Sequence, residues 1–241
     1  MNTSYFEEYT KDCQKISRVF NCLPDFNMSG VFAAWELGGL FGFDEKRGEF
    51  WLNVAAHMSV AALLGGVIAE AASAELKKEG LSPRDITETL LVHDWSKRLE
   101  TSVRKEGVES VARFEKEHKD TLLKWFMEKV VSLTFATGDR AVKIADTRRL
   151  SLGERIVFYS DYCASRSRIV SFRQRLLDLL PHFARGGRYQ KTDTYYKKRY
   201  GVGHHEKLTE LLSPIEQEFK KYTGRAEENF PTSLVPAEFC V

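Results

Sequence analysis

Apolar residues recur at helical spacing through most of the chain, and few segments alternate apolar and polar residues as strands do. The pattern predicts helices over residues 3–21, from Phe50 to Lys78, within 108–136 (one or two) and over 205–222. Gly80 follows the second of these and is suited to end it as a C′ glycine. Residues 28–48 are rich in glycine and aromatic residues, so we expect a short helix and then a loop there.

Two further helices begin at clear capping sequences. Ser82-Pro83-Arg84-Asp85 supplies an N-cap serine, a proline at the first helical position and an acid in the first turn. The helix that opens there is expected to run to Leu99, with His93 and Asp94 in its C-terminal half. Ser151-Leu152-Gly153-Glu154 has the form of a capping box. It opens a helix that carries Asp161 and is expected to continue towards Leu180.

These elements predict an all-α fold, a single-domain helical bundle. We expect residues 50–223 to form the helical domain and residues 1–49 to add an N-terminal helix and a loop packed on its core. The tail over 224–241 contains two prolines and has no helical period, which predicts an extended or disordered arm.

Composition restricts the environment more than the function. Hydrophobic residues make up 43% of the chain, charged residues 29%, and the net charge is +2, so no global field commits the protein to nucleic acid or to a membrane surface. The stretch from Val54 to Ala72 is apolar enough to resemble a membrane span, but alanine is its commonest residue, and it contains His57 and Glu70. A buried helix is the expected form.

The cysteines and the N-terminus indicate a cytoplasmic protein. Cys13, Cys22, Cys163 and Cys240 form no CxxC pair and are too widely scattered for a disulfide framework or a zinc cluster, so we expect reduced thiols. The first residues are polar and acidic and lack the basic start and apolar core of a signal peptide.

Four residues with metal-binding side chains lie on three predicted helices: His57, the pair His93-Asp94, and Asp161. Imidazole nitrogen and carboxylate oxygen together suit Mn, Fe, Co, Ni, Zn or Mg. Adjacent residues of a helix point about 100° apart, so the pair would converge on a metal at a junction between helices. Each residue alone has an ordinary alternative, because a histidine in an apolar helix is often a hydrogen-bonded core residue. The prediction depends on the four together.

The order His…His-Asp…Asp, with the string HDWSK, resembles the HD superfamily of metal-dependent phosphohydrolases. The segment ERIVFYSDYC is similar to the helix that carries the last aspartate of that family, and the resemblance covers roughly residues 50–180. It implies an HD-type bundle with one divalent metal ion held by His57, His93, Asp94 and Asp161. It also implies hydrolysis of a phosphoester of a small phosphorylated substrate, expected to be a nucleotide, by a metal-activated water.

The resemblance also assigns roles near the metal. Asp94 is expected to bind metal and hold the water, and Lys97, three residues on, to place its ammonium against a substrate phosphate. Lys97 could instead be a solvated lysine near a helix C-terminus. Some nucleotidase members carry Glu at this position, so their mechanism does not transfer directly.

Between the pair and Asp161 the chain has only one further histidine, His118, in a charged stretch typical of a solvent-exposed face. Family members with two or three metals usually add histidines in this interval, so a single-metal site is expected. His118 is kept as the candidate ligand for a second metal.

Further phosphate-binding candidates lie after Asp161. Arg166 is expected on the same helix as Asp161 and could face the site. Residues 183–200 interleave tyrosines with basic residues, among them Arg188 and Lys198, and such a segment can hold phosphates and stack a base. A solvated basic loop is the alternative for this segment. His204 and His205 follow a glycine-rich turn and are expected at the surface or behind the ligands.

Two other functions remain open on the same residues. One is a nucleotide or nucleic-acid binding protein on an HD scaffold that does not catalyse, with residues 183–200 as its contact surface. The other is a phosphodiesterase acting on a cyclic nucleotide or a nucleic acid, which differs from the phosphatase or nucleotidase in its product.

Overall fold

The computed structural model describes residues 3–44, 49–103, 108–184, 186–187 and 189–240. Within these ranges the secondary structure is almost entirely α-helical, which confirms the all-α prediction. The helices are α1 (Thr3–Cys22), α2 (Met28–Leu37), α3 (Leu52–Ala71), α4 (Ser73–Lys78), α5 (Pro83–Val92), α6 (Lys97–Val103), α7 (Val108–Leu122), α8 (Glu128–Leu133), α9 (Gly138–Ala145), α10 (Leu152–Cys163), α11 (Phe172–Phe183), α12 (Gln190–Tyr200) and α13 (His204–Thr223). Two short antiparallel hairpins pair β1 (Phe43–Asp44) with β2 (Glu49–Phe50) and β3 (Ala164–Ser165) with β4 (Arg168–Ile169).

Helix α3 is the centre of the core and packs against α1, α5 and α10. In the described ranges it is the one helix long and apolar enough to cross a membrane, and most of its apolar stretch is buried inside the protein. The expectation of a buried helix is confirmed.

The predicted helix from Phe50 to Lys78 is in fact two helices, α3 and α4, separated at Ala72, whose φ is −103°. No glycine or proline marks this break. The end at Gly80 is as predicted. Gly80 has a φ of +72°, and the N–H groups of Leu81 and Gly80 donate to the carbonyls of Leu76 and Lys77. These two bonds form a Schellman motif.

Helix α5 begins as predicted but ends early. Ser82 and Asp85 form a reciprocal capping box. The helix ends at Val92, and residues 93–96, hereafter the 93–96 turn, form tight turns before α6. The predicted continuous helix to Leu99 is therefore wrong. Contacts from elsewhere in the chain hold this turn.

Helix α10 likewise begins at its predicted capping box, formed by Ser151 and Glu154. It ends at Cys163, and a hairpin with Arg166 in its turn leads into α11, which Ser171 caps. The expected continuation to Leu180 is wrong. Arg166 has a left-handed φ of 54°, which interrupts any helix and places this residue beyond α10.

The C-terminal part also differs from the prediction. The basic segment is not a loop, since α12 forms within it and ends at Gly201, which has a φ of +75°. Residues 224–240 do not form a free arm. Phe230 and Phe239 are buried in the core, and the ring of Phe230 lies 6.2 Å from that of Tyr159. All four cysteines are free, as expected.

Candidate metal centre

Three of the four predicted ligands converge. His57 lies on α3, His93 caps the end of α5, and Asp161 lies on α10. Oδ1 of Asp161 is 3.0 Å from Nε2 of His57 and 3.3 Å from Nε2 of His93. In the part of the chain that the structure describes, these residues form one compact group of metal-binding type, with ligand atoms within 4.8 Å of one another. We call this group the His-Asp-His cluster.

A glycine brings the three helices together. A Cβ added at Gly65 of α3 would lie 2.1 Å from Cδ1 of Leu90 and 3.1 Å from Oγ of Ser160. Leu90 lies one turn before His93, and Ser160 directly precedes Asp161. Because Gly65 has no side chain, α3 can approach α5 near His93 and α10 near Asp161.

The orientation of His93 restricts where its proton lies. Its Nδ1 is 2.8 Å from the carbonyl oxygen of Leu90. A carbonyl can only accept, so Nδ1 carries the proton that is donated to it. In the neutral imidazole Nε2 then bears a lone pair, and that lone pair faces the Oδ1 of Asp161. Two acceptors face each other at 3.3 Å, an arrangement that a cation between them stabilises.

Without a metal, a proton on Nε2 of His93 can fill this position, and the pKa shifts of the cluster reflect that state. Burial raises the pKa of the Asp161 carboxyl, but the hydrogen bonds from His57 and His93 outweigh it and hold that pKa well below its ordinary value. Burial lowers the pKa of His93, but the hydrogen bond and the charge of Asp161 raise it above its ordinary value. The side chain of His93 has no exposure, whereas those of His57 and Asp161 are 16% and 18% exposed. A solute can therefore reach the cluster from the side of these two residues.

Asp94 is next to the cluster but is paired differently. Its carboxylate accepts a hydrogen bond from Nζ of Lys97 at 3.1 Å, and its backbone N–H donates to Sδ of Met58. Burial raises the pKa of Asp94, but the charges of Lys97 and His93 outweigh it and lower that pKa below its ordinary value. The charge of Asp94 in turn raises the pKa of Lys97. The ligand role of Asp94 and the catalytic roles of Asp94 and Lys97 stay predictions.

His118 does not lie on a solvent-exposed face, because its side chain is buried at 7% exposure. Its Nε2 lies 2.7 Å from the indole Nε1 of Trp95, and its Nδ1 lies 2.7 Å from Oγ of Ser96. Both ring nitrogens thus have protein partners, and a role for His118 as a second-metal ligand, which stays a prediction, would require breaking one of these hydrogen bonds. Charged sequence neighbours concealed its burial.

The predicted phosphate-binding residues are dispersed. Arg166 is exposed in the hairpin after α10, and Lys198 is exposed on α12. The residues on either side of Lys198 pair with acids, Lys197 with Asp193 and Arg199 with Asp146. Arg188 lies outside the described residues. The roles of Arg166, Arg188 and Lys198 stay predictions.

Sequence reasoning missed the contacts that hold the 93–96 turn and the helices on either side of it. Nε1 of Trp35 donates to the carbonyl of Leu91 at 2.7 Å, and Arg98 donates to the carbonyl of Gly39 at 3.0 Å. A Cβ on Gly38 would lie only 1.9 Å from the carbonyl oxygen of Trp95. The only sequence signal was that residues 28–48 are rich in glycine, and this did not indicate which residues they contact.

Comparisons of the chain with protein-family models, with curated proteins and with solved structures find no match.

Proposed function

We propose that the chain is a metal-dependent phosphohydrolase that cleaves a phosphoester of a small phosphorylated substrate, with a nucleotide as the expected class. The observation that carries the proposal is the pair of acceptors formed by His93 and Asp161. The Leu90 carbonyl directs the lone pair of His93 towards a carboxylate, and a divalent cation would satisfy both.

The donor set fits such an ion. His57 and His93 offer imidazole nitrogens and Asp161 offers a carboxylate oxygen, a combination suited to Mn, Fe, Co, Ni, Zn or Mg. Three protein ligands are also the number typical of catalytic sites that keep a position for water. When bound, such an ion lowers the pKa of its water and polarises a phosphoryl oxygen. The hydrogen bond from His93 to Leu90 supports the ring in its ligating orientation.

Asp94 and Lys97 supply the remaining chemistry. Asp94 is ionised near neutral pH because its pKa is lowered, so its carboxylate can accept a hydrogen bond from the attacking water. Lys97 is a charged ammonium whose side chain is 46% exposed, which allows it to pair with a phosphate oxygen of a bound substrate.

A proton on Nε2 of His93 is the competing occupant of the position between His93 and Asp161. In that case the cluster is an imidazolium–carboxylate ion pair that stabilises the fold and holds no metal. Elemental analysis of the purified protein separates the two, because only the metal centre retains a stoichiometric divalent metal.

The test combines metal content with a substrate panel. The purified chain is analysed for bound metal and assayed with nucleotides, phosphomonoesters and phosphodiesters in Mn²⁺, Co²⁺, Ni²⁺ and Mg²⁺. We expect hydrolysis by the native chain and loss of both metal and hydrolysis in Asp161→Ala. Asp193→Ala, which removes a carboxylate that pairs with Lys197 on α12, is the matched control and should retain both.

Each outcome identifies a different failure. A protein that holds metal but hydrolyses no member of the panel contradicts the enzymatic proposal. Stoichiometric metal in Asp161→Ala contradicts the ligand assignment. Chromatography of the products distinguishes release of phosphate from opening of a diester.

A further inference from the structure

His118 occupies a position that the proposed chemistry does not use. It lies on α7, is buried, and is enclosed by three aromatic side chains. The ring centroids of Trp95, Phe114 and Phe135 lie 4.9, 6.1 and 6.1 Å from its own. Packing of this kind leaves an imidazole few other orientations.

The two hydrogen bonds of His118 assign its tautomer. The indole N–H of Trp95 can only donate, so Nε2 of His118 is the acceptor. A neutral imidazole has one N–H, which is therefore on Nδ1 and donates to the hydroxyl of Ser96. Both partners belong to the 93–96 turn, so a single side chain of α7 holds two consecutive residues of that turn.

The turn needs such support. Its sequence, His93-Asp94-Trp95-Ser96, contains neither glycine nor proline, and the periodicity around it predicts continuous helix. Contacts from outside must therefore hold the break. Gly38 lies against the Trp95 carbonyl, as described above, and His118 binds the Trp95 and Ser96 side chains.

We propose that His118 is a positioning residue of the metal centre. By accepting from Trp95 and donating to Ser96 it fixes the 93–96 turn, and through it the positions of His93 and Asp94 relative to Asp161. This role rests on the proposed function, since it concerns the geometry of the same metal ligands. His118 itself contacts neither metal nor substrate.

The experiment uses Co²⁺ as the probe, because its visible absorption reports ligand geometry independently of catalysis. Co²⁺ affinity and spectrum are measured for the native chain, His118→Ala, Trp95→Phe and Ser96→Ala, with circular dichroism and thermal unfolding to verify the fold. We expect His118→Ala to weaken Co²⁺ binding by about 10- to 100-fold, the usual scale for residues behind a metal ligand, and to change the spectrum. Trp95→Phe and Ser96→Ala each remove one bond and should have smaller effects.

Two further variants make the test specific. His204→Ala is the matched control, a buried histidine packed against the rings of Phe183 and Tyr196. It should lower the unfolding temperature while leaving Co²⁺ affinity and spectrum unchanged. Trp95→Phe combined with His118→Ala should bind Co²⁺ no more weakly than His118→Ala alone, because both act through the same bond.

Native affinity and an unchanged Co²⁺ spectrum in His118→Ala overturn the positioning role while leaving the metal centre intact. If His118→Ala does not fold, Ser96→Ala decides, and native Co²⁺ affinity and spectrum in that milder variant overturn the role. A native chain that binds no Co²⁺ or other divalent metal overturns the proposed function and this role with it.

Discussion

Nε2 of His93 lies 3.3 Å from Oδ1 of Asp161, and the carbonyl of Leu90 fixes the imidazole proton on the opposite side of the ring. The pair therefore requires a positive charge between its two atoms, whether a metal ion or a second proton on His93. The two occupants differ in how the protein responds when the carboxylate is replaced by an amide.

Asp161→Asn separates the two. With chelator present the native position holds a proton in either case, so the variant should lose about 3 kcal/mol as a mostly buried ion pair is removed. In a metal centre, added Mn²⁺ or Co²⁺ should stabilise the native chain further but not the variant. In an ion pair alone, added metal should stabilise neither. Urea unfolding of both chains with metal and with chelator measures the difference, and a native chain that metal does not stabilise would argue for the ion pair.

Metal addition should stabilise the native chain. A ligand that binds only the folded state adds about 2.7 kcal/mol to the free energy of unfolding at 100 times its Kd. We expect Mn²⁺ or Co²⁺ to raise the urea midpoint, chelator to reverse this, and His57→Gln to abolish most of the gain. The same gain in His57→Gln would exclude His57 as a ligand.

Acid should destabilise the protein through His118. Burial lowers the pKa of His118 from its ordinary value of 6.5 to about 4, so between these values the unfolded chain binds the proton more strongly. The contribution of His118 is therefore present above pH 6.5 and is lost as the pH falls towards 4. The difference of about 2.5 in pKa corresponds to at most about 3 kcal/mol.

This contribution is measured by urea unfolding of the metal-free protein at several pH values between 7.5 and 4.5. His118→Gln keeps a polar side chain but does not titrate, so it should flatten the pH dependence in this window. The raised pKa of His93 adds a pH dependence above pH 6.5 that both proteins share, so it cancels in the difference between the variant and the native chain. Equal pH dependence in the variant and the native chain would contradict the assignment.

Gly38→Ala should displace the 93–96 turn. The added methyl would meet the backbone carbonyl of Trp95, which cannot move without the turn, and we expect a loss of about 1–3 kcal/mol together with weaker metal binding. Gly66→Ala is the control, because its methyl would meet only the Thr87 hydroxyl at 3.2 Å. Thermal unfolding and Co²⁺ titration are measured for both variants. Equal unfolding temperatures and equal Co²⁺ affinities would show that Gly38 does not support the site.

Lys97→Gln should affect substrate and not metal. If the ammonium holds a phosphate, its loss should raise KM about 10-fold, the effect of about 1.4 kcal/mol, with metal content unchanged. Lys78 pairs with Glu75 three residues earlier, as Lys97 pairs with Asp94, so Lys78→Gln is a matched control. Lys78→Gln should change stability by less than about 1 kcal/mol, because both side chains of that pair are exposed, and Lys97→Gln should cost more, because the Asp94 side chain is only 22% exposed and loses its cation. An unchanged KM in Lys97→Gln would assign Lys97 to the surface.

Local signals explain what was predictable. The capping sequences at Ser82 and Ser151 specify their own partners within four residues, so both helix starts were found. The members of the His-Asp-His cluster were found because their chemistry is unusual in apolar helices. The helix ends at Val92 and Cys163 were missed. Contacts from distant parts of the chain hold the turn after Val92, and the left-handed backbone of Arg166 follows Cys163.

The prediction that His118 lies on a solvent-exposed face was wrong because its packing also depends on distant parts of the chain. Its sequence neighbours are charged, and only the packing of α7 shows that the side chain points inwards to Trp95 and Ser96. Residues 224–240 were misjudged because two buried phenylalanines, Phe230 and Phe239, decide their packing without any helical period.

The close approach of three helices at Gly65 has a consequence for folding kinetics. His57 and Asp161 are 104 residues apart in the chain, and His93 and Asp161 are 68 apart. Isolated helices cannot bring them within bonding distance, since the first pairing requires α3 docked on α10 and the second requires α5 docked on α10, and only both together complete the cluster. Metal uptake during refolding would therefore measure the arrival of the complete three-helix core, a late event that helical content alone does not register.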